Sequence, residues 1–120
     1  MTDSPIMLRE AIPYIRLYKG KVFVVKAGGR IVGRSELLDA LIEDVCLLQQ
    51  VGIKIVLVHG GGPQANALSR KLGFEPEIIA GRRVTDARAL EVAKMVYAGS
   101  LNINILSSCR AHHTNPVGLS

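Results

Sequence analysis

The sequence contains few aromatic residues and few cysteines. Aromatic residues make up 4% of its 120 residues, and tryptophan is absent. Proteins that hold single-stranded nucleic acid commonly stack its bases on aromatic side chains, so this composition disfavours that function. The two cysteines, Cys46 and Cys109, are too few for a disulfide framework and fit a reducing compartment. These features predict a cytoplasmic protein that does not bind nucleic acid.

Long apolar runs are absent as well. No segment approaches the roughly 18 apolar residues of a membrane-spanning helix, and the N-terminus has no apolar signal core. We therefore expect no association with a membrane. Hydrophobic residues still make up 48% of the chain. That is enough for a packed core in one small domain, which typically has about 100–150 residues.

The net charge of +5 is concentrated near the N-terminus. Residues 1–34 contain seven lysines and arginines but two acidic residues, whereas residues 35–120 contain eight of each sign. A basic patch can attract nucleic acid. A solvated helix face beside a site for anionic substrates explains the same charges, and we favour that interpretation.

Segments with strand and helix patterns alternate along the chain. The predicted strands are 21–26, 53–58, a shorter one near 76–80 and a buried one at 116–120. The predicted helices are 8–18, 35–50 with Ser35 as N-cap, a segment from Pro63 to Gly73, 86–98 capped by Thr85 and ended by Gly99, and 101–111. This order predicts an α/β fold with a mainly parallel sheet. Because both faces of such a sheet need cover, we expect residues 1–120 to be the N-terminal part of a longer protein.

Two of the predicted strands end in glycines, in VFVVKAGG (22–29) and IVLVHGGGP (55–63). Loops that follow neighbouring parallel strands meet at one edge of the sheet, where their N–H groups can hold a phosphate. Lys26 would add a positive charge there. In the alternative interpretation, the glycines only form turns and Lys26 extends into water. The candidate phosphate-binding and substrate-binding backbone consists of Gly28, Gly29, Gly60, Gly61 and Gly62.

Other polar side chains lie near these loops in the sequence. Either Arg82 or Arg83 could bind a carboxylate with its forked guanidinium group, and the other could be solvated. His59 could contact a phosphate or make a structural hydrogen bond. His112 and His113 have no partners at the spacing of metal ligands, so the sequence predicts no metal site.

Four segments in order resemble the amino acid kinase family, and within it the N-terminal half of the acetylglutamate kinases. They are KGKVFVVKAGG, LVHGGGPQ, GRRVTD and AHHTNPVGLS, and the resemblance extends from about Leu8 to Ser120. It implies a three-layer αβα sandwich with a mainly parallel sheet. It also implies that ATP phosphorylates the side-chain carboxylate of N-acetyl-L-glutamate, a step of arginine biosynthesis.

The resemblance assigns roles to several residues. Lys26 would be the catalytic lysine that stabilises charge on the transferring phosphoryl group, and Arg83 would hold the α-carboxylate of the substrate. Gly29, Gly61 and Gly62 would offer N–H groups to the phosphate and the attacking carboxylate. The site for ATP with Mg²⁺ would lie mostly in a C-terminal part that this chain lacks, so we expect the chain alone to be inactive. The family implies a homodimer and leaves open a hexamer formed through the N-terminal helix.

The kinase-like domain of acetylglutamate synthases also resembles this sequence. That domain binds regulatory arginine and is fused to an acetyltransferase. Departures from the kinase pattern at Ala27, 30–32 and 102–103 weaken the assignment to an ordinary kinase, and the start, with PYI and then a glycine-lysine pair, is similar to the synthase domain. The retained Lys26 and HGGG glycines favour the kinase. We rank the kinase first, the synthase domain second, and an α/β domain whose glycine loops are only turns third.

Overall fold

Two valine-rich strands, β1 (Val22–Ala27) and β2 (Lys54–His59), form a parallel pair in this computed structural model. The structure describes the backbone of residues 4–120 and the side chains from residue 6 onward. Both strands were expected one residue earlier, at 21–26 and 53–58. The predicted α/β class and the parallel pairing are confirmed.

The two faces of this strand pair differ in exposure. On one face the side chains pack inward, and Ala27 and Leu57 join the hydrophobic core. Helix α3 contacts β2. Residues alternate between the two faces of a strand, so every second residue lies on the other face. That face is exposed and largely apolar. Its exposed valines are Val22, Val24, Val56 and Val58.

Within residues 4–120, six α-helices and one π-helical segment accompany the strands. The α-helices are α1 (Ser4–Tyr18), α2 (Gly29–Val32), α3 (Ser35–Gln50), α4 (Gly62–Lys71), α5 (Ala87–Ala93) and α6 (Asn102–Ala111). The short helix α2 was not predicted, because four residues are too few to show a periodic pattern. Within the described residues, no helix is both long enough and apolar enough to cross a membrane.

Two predicted helix starts are wrong by one residue. Ser35 was expected as the N-cap of α3, but Arg34 occupies that position with extended backbone and without a side-chain cap. Thr85 was expected to cap the helix after it, but the cap is Asp86, whose carboxylate accepts a hydrogen bond from the Ala89 N–H at 2.8 Å. A carboxylate at this position also interacts favourably with the helix dipole.

The short strand expected near 76–80 does not extend the parallel sheet. Strands β3 (Ile78–Ile79) and β4 (Arg82–Arg83) pair with each other instead, antiparallel. The turn between them places Ala80 and Gly81 at positive φ. The segment is therefore a hairpin of two strands with two residues each. The apolar pattern of the first strand could not show that residues 82–83 pair with it.

The helix that starts after Asp86 does not end at Gly99 as predicted. Helix α5 continues into a π-helical segment, Lys94–Leu101, and then directly into α6. Gly99 therefore lies inside a continuous helical region of the chain. Apolar side chains from all three parts enter one core, which explains why a glycine does not end the helix here. These buried residues are Val92, Val96, Leu101, Ile105 and Cys109.

The expected buried strand at 116–120 is also wrong. These residues have no regular secondary structure, and Val117 and Leu119 are 84% and 88% exposed. A groove of about 870 Å³ is lined by β2, by parts of α3 and α6, and by residues 113–119. Without hydrogen bonds to a neighbouring strand, an extended apolar segment is not a strand.

Helices α3 and α6 pack against each other at the centre of the core. Ile42 on α3 is fully buried, and Cys46 on α3 and Cys109 on α6 are both buried. Burial raises the pKa of the Cys109 thiol, and the nearby Cys46 thiol raises it further. Both cysteines are free thiols. They therefore act as small apolar residues of the core.

The Cys109 thiol predicts how stability depends on pH. Its pKa is raised above the ordinary value of 9.0 in the folded state, so the unfolded chain releases this proton first as pH rises. The stabilising contribution is complete below about pH 9 and is lost above it. We expect the free energy of unfolding, measured with urea under reducing conditions, to fall as the pH rises above about 9. The decline should be shallower in Cys109→Ala, and equal slopes in the two proteins would contradict this assignment.

Candidate functional site

The two glycine loops touch each other at the carboxyl ends of β1 and β2. The Gly60 N–H donates to the Ala27 carbonyl at 2.9 Å, which extends the parallel hydrogen-bond pattern by one residue. A Cβ at Gly60 would lie 3.3 Å from the Gly29 nitrogen. Gly60 therefore allows the second loop to approach the first loop closely.

Most of the N–H groups in these loops are free. The Gly60 N–H is engaged with the Ala27 carbonyl in this structure. For Gly28, Gly29, Gly61 and Gly62, no acceptor of the N–H group occurs among the described residues. Gly29 begins α2 and Gly62 begins α4, and N–H groups in a first helical turn have no partner within the helix. Two adjoining loops thus present four unpaired donors.

Position 61 favours glycine because neighbouring side chains leave no room for a Cβ atom, not because of its backbone angles. Its φ of −177° is extended backbone that any residue can adopt. A Cβ there would lie 2.6 Å from Leu101 Cδ1 and 3.1 Å from Tyr97 Cε1. Both side chains come from the π-helical segment, which packs directly over the second loop. Short π-helical segments are often found at functional sites.

Lys26 lies near the end of β1, two residues before the first loop. It is exposed and shares the open face of the strand pair with Val22 and Val24. Lys26 makes no ion pair within residues 6–120. Its position beside the loops, exposed and without an anionic partner, leaves its charge available to a ligand.

Arg83 is the arginine that the structure places against the second loop, whereas Arg82 is exposed. The Arg83 Nη2 group donates to the Gly62 carbonyl at 3.2 Å and to Asn66 Oδ1. These bonds use both Nη2 hydrogens, and the described residues provide no acceptor for Nη1 or Nε. Arg83 would therefore bind a carboxylate, as predicted, through hydrogen bonds from Nη1 or Nε, because both Nη2 hydrogens are already used.

His59 makes a structural contact. Its Nδ1 lies 3.1 Å from the Gly60 carbonyl oxygen, and its ring stacks with Tyr97 at 6.5 Å between ring centroids. Of the two alternatives for His59, the geometry favours the structural hydrogen bond. The histidine thus packs the second loop against the π-helical segment.

Two residues of the site, Gln64 and Asn66, were not predicted from the sequence. Gln64 Nε2 donates to the Gly29 carbonyl at 2.6 Å, and Asn66 accepts from Arg83. Both lie in the first turns of α4, directly after the glycines. The available signal was positional, since polar side chains in a first helical turn lie next to the loop before it.

The arrangement can bind an oxyanion. Four peptide N–H groups, one lysine and one arginine lie at or next to the junction of the two loops, and all of these groups donate hydrogen bonds or carry positive charge. Within the described part of the chain, no three His, Cys, Asp or Glu side chains cluster closely enough to hold a metal ion.

The packing over Gly61 gives a test of this geometry. Gly61→Ala should destabilise the fold by about 1–3 kcal/mol, because Leu101 is buried and cannot move away freely. Gly62→Ala is the matched control, since a Cβ at that position meets nothing within 4 Å. Urea denaturation measures both effects. Equal stability of the two variants would show that the π-helical segment does not pack on the loop as described.

Comparisons with known proteins give these features a family context. A sequence model of the amino acid kinase family matches residues 21–120. The chain is 42% identical over 118 residues to the acetylglutamate kinase of Symbiobacterium thermophilum, covering 98% of this chain and 40% of that protein. It is 43% identical over 114 residues to that of Methanoculleus marisnigri, covering 95% of this chain and 39% of that protein. The chain thus spans about 40% of the length of these curated relatives.

A solved structure shows the same fold. N-acetylglutamate synthase from Neisseria gonorrhoeae, complexed with coenzyme A and L-arginine, superposes with a TM-score of 0.71 at 35% identity. The match covers 83% of this chain and 23% of that one. Since the family model covers residues 21–120 and the fold agrees, the chain belongs to the amino acid kinase family.

Proposed function

We propose that this chain is the N-terminal, acyl-substrate-binding part of an enzyme that phosphorylates N-acetyl-L-glutamate with ATP. The product is an acyl phosphate on the side-chain carboxylate, and the reaction serves arginine biosynthesis in the cytoplasm. The main support is the junction of the two loops, where four free N–H groups lie close to Lys26. The relatives named acetylglutamate kinase support the choice of substrate.

The chemistry requires no general base. A glutamate-type carboxylate has a reference pKa of about 4.3, so it is already ionised at pH 7 and can attack a phosphorus atom directly. The difficulty is to bring two anions together and to neutralise the charge that develops between them. The N–H groups of Gly29, Gly61 and Gly62 and the Lys26 ammonium group suit this task. In this proposal, Gly28 and Gly60 shape the loops around those donors.

Arg83 would fix the other end of the substrate. Its Nη2 bonds to Gly62 and Asn66 hold the guanidinium group beside the second loop and leave Nη1 and Nε for the α-carboxylate. A substrate held at one carboxylate by Arg83 would present its second carboxylate to the loops. Positioning of this kind converts an encounter of two anions into a reaction between fixed neighbours.

The nucleotide requires residues beyond those described. We propose that the ATP site lies mostly in the region that the longer relatives have in addition to this segment. We propose that magnesium arrives with the nucleotide phosphates, which are among its usual ligands. No role of Lys26 or of the glycine loops depends on that ion.

Oligomerisation is a further part of the proposal. We propose a homodimer, with a hexamer formed through α1 as the alternative. The support for α1 is the number of its large apolar side chains that are exposed in one copy. These residues are Ile6, Met7, Leu8, Tyr14 and Leu17.

A second candidate function is an arginine-binding regulatory domain of an acetylglutamate synthase. It is favoured by the structural likeness to the Neisseria gonorrhoeae synthase, whose structure contains L-arginine. The retained Lys26 and the glycine loops with free N–H groups favour the kinase. The two candidates predict different ligands for the purified chain.

Calorimetric titration of the chain with N-acetyl-L-glutamate, and separately with L-arginine, tests the proposal. We expect N-acetyl-L-glutamate to bind, and Arg83→Ala to weaken that binding roughly 10- to 100-fold, because a charged hydrogen bond is lost. Arg82→Ala is the matched control and should change little, since Arg82 is exposed. Binding of L-arginine alone would favour the regulatory domain. Equal effects of the two alanine variants would remove Arg83 from the site.

A further inference from the structure

We propose that Gln64 is a positioning residue that holds the two glycine loops in register, an inference that rests on the proposed function of those loops. Gln64 Nε2 donates to the Gly29 carbonyl at 2.6 Å across 35 positions of sequence. A carbonyl oxygen accepts hydrogen bonds and never donates them. The amide nitrogen of Gln64 must therefore be the atom that faces Gly29.

The first loop is shaped around this amide group. A Cβ at Gly33 would lie 2.1 Å from Gln64 Nε2, and a Cβ at Gly29 would lie 2.9 Å from Gln64 Oε1. Neither residue has positive φ, so close neighbours explain these two glycines better than backbone strain does. Gln64 is the closest neighbour at Gly33, whereas at Gly29 the Pro63 Cδ atom would be equally close, at 2.9 Å. The turn from Gly29 to Gly33 thus encloses the end of a side chain from α4.

The buried amide of Gln64 is energetically unfavourable on one side, which indicates that its one hydrogen bond has a structural role. Gln64 Oε1 is buried and has no hydrogen-bond partner among the described residues. Burying an unpaired acceptor is unfavourable, and an apolar side chain would fill the same space without that cost. The single bond from Nε2 to Gly29 is what an apolar residue could not provide.

That bond controls the direction of a peptide group. The Gly29 carbonyl also accepts from the Gly33 N–H at 2.9 Å, so it is held from two sides. The carbonyl and the N–H of a trans peptide point in opposite directions, so fixing the Gly29 carbonyl also fixes the Arg30 N–H. Gln64 lies on helix α4, directly after the second loop. Its hydrogen bond therefore helps to fix the orientation of the Gly29–Arg30 peptide group in the first loop.

Two hydrogen bonds among the described residues then connect the loops. One is the backbone bond from Gly60 to Ala27, and the other is the side-chain bond from Gln64 to Gly29. A cradle built from N–H groups of two loops binds well only if the loops keep a constant separation. Displacement by about 1 Å is enough to weaken catalysis about 100-fold in positioned sites.

The test uses two variants and a matched control. Gln64→Met keeps the length of the side chain but removes the donor, and Gln64→Asn keeps the amide on a chain one methylene shorter. Gln50→Met makes the same change at the exposed end of α3. The readouts are amide hydrogen exchange by NMR and calorimetric titration with N-acetyl-L-glutamate.

We expect both Gln64 variants to exchange amide hydrogens about tenfold faster at Ile31, Val32 and Gly33, with no change in α6. The dissociation constant for N-acetyl-L-glutamate should rise about tenfold, and Gln50→Met should match the wild-type chain. Faster exchange throughout the chain would show a general loss of stability and would overturn the proposal.

The outcomes separate this proposal from the proposed function. If the wild-type chain binds N-acetyl-L-glutamate and both Gln64 variants bind within about twofold of it, the positioning role is wrong and the proposed function stands. If the wild-type chain does not bind, the proposed function fails at this step. The exchange measurement then decides alone, since local acceleration at residues 31–33 supports coupling by Gln64 and its absence overturns it.

Discussion

The hydrogen bond from the Gly60 N–H to the Ala27 carbonyl is the constraint on which the site depends. It continues the pairing of β1 and β2 beyond the last strand residues, so both chains enter their loops at the same place. The free N–H groups of Gly28, Gly29, Gly61 and Gly62 lie together because the strands are parallel and in this register. An antiparallel pair would bring the two loops to opposite ends.

Packing from the helical side keeps the second loop in place. Tyr97 and Leu101, both in the π-helical segment, would contact a Cβ at Gly61, so this segment packs against the second loop. The same continuous helical region contributes Ile105 and Cys109 to the core against α3. The site is thus built onto the core, and stability of the core and geometry of the loops are physically linked.

The sequence predicted the parts of this fold that depend on local pattern. Strands of valine ending in glycines, the helix of 35–50 and the α/β class follow from periodicity and from the conformational freedom of glycine. The prediction that Gly99 ends a helix was wrong. Glycine often follows the last residue of a helix, but here the buried residues before and after Gly99 belong to one continuous helical region. The contacts of Gln64 and Arg83 join segments 35 and 21 residues apart, so no window of sequence could show them.

The charge of the loop junction supports the proposal that it binds an anionic substrate rather than the guanidinium group of arginine. Its donors are peptide N–H groups, Lys26 and Arg83, and the Arg83 bonds to Gly62 and Asn66 hold a second cation beside the loops. These groups attract carboxylates and phosphates, but they repel a guanidinium group, which needs carboxylates around it. In the proposed function, the N–H groups of Gly29, Gly61 and Gly62 and the Lys26 ammonium group serve phosphoryl transfer to one carboxylate, while Arg83 holds the other.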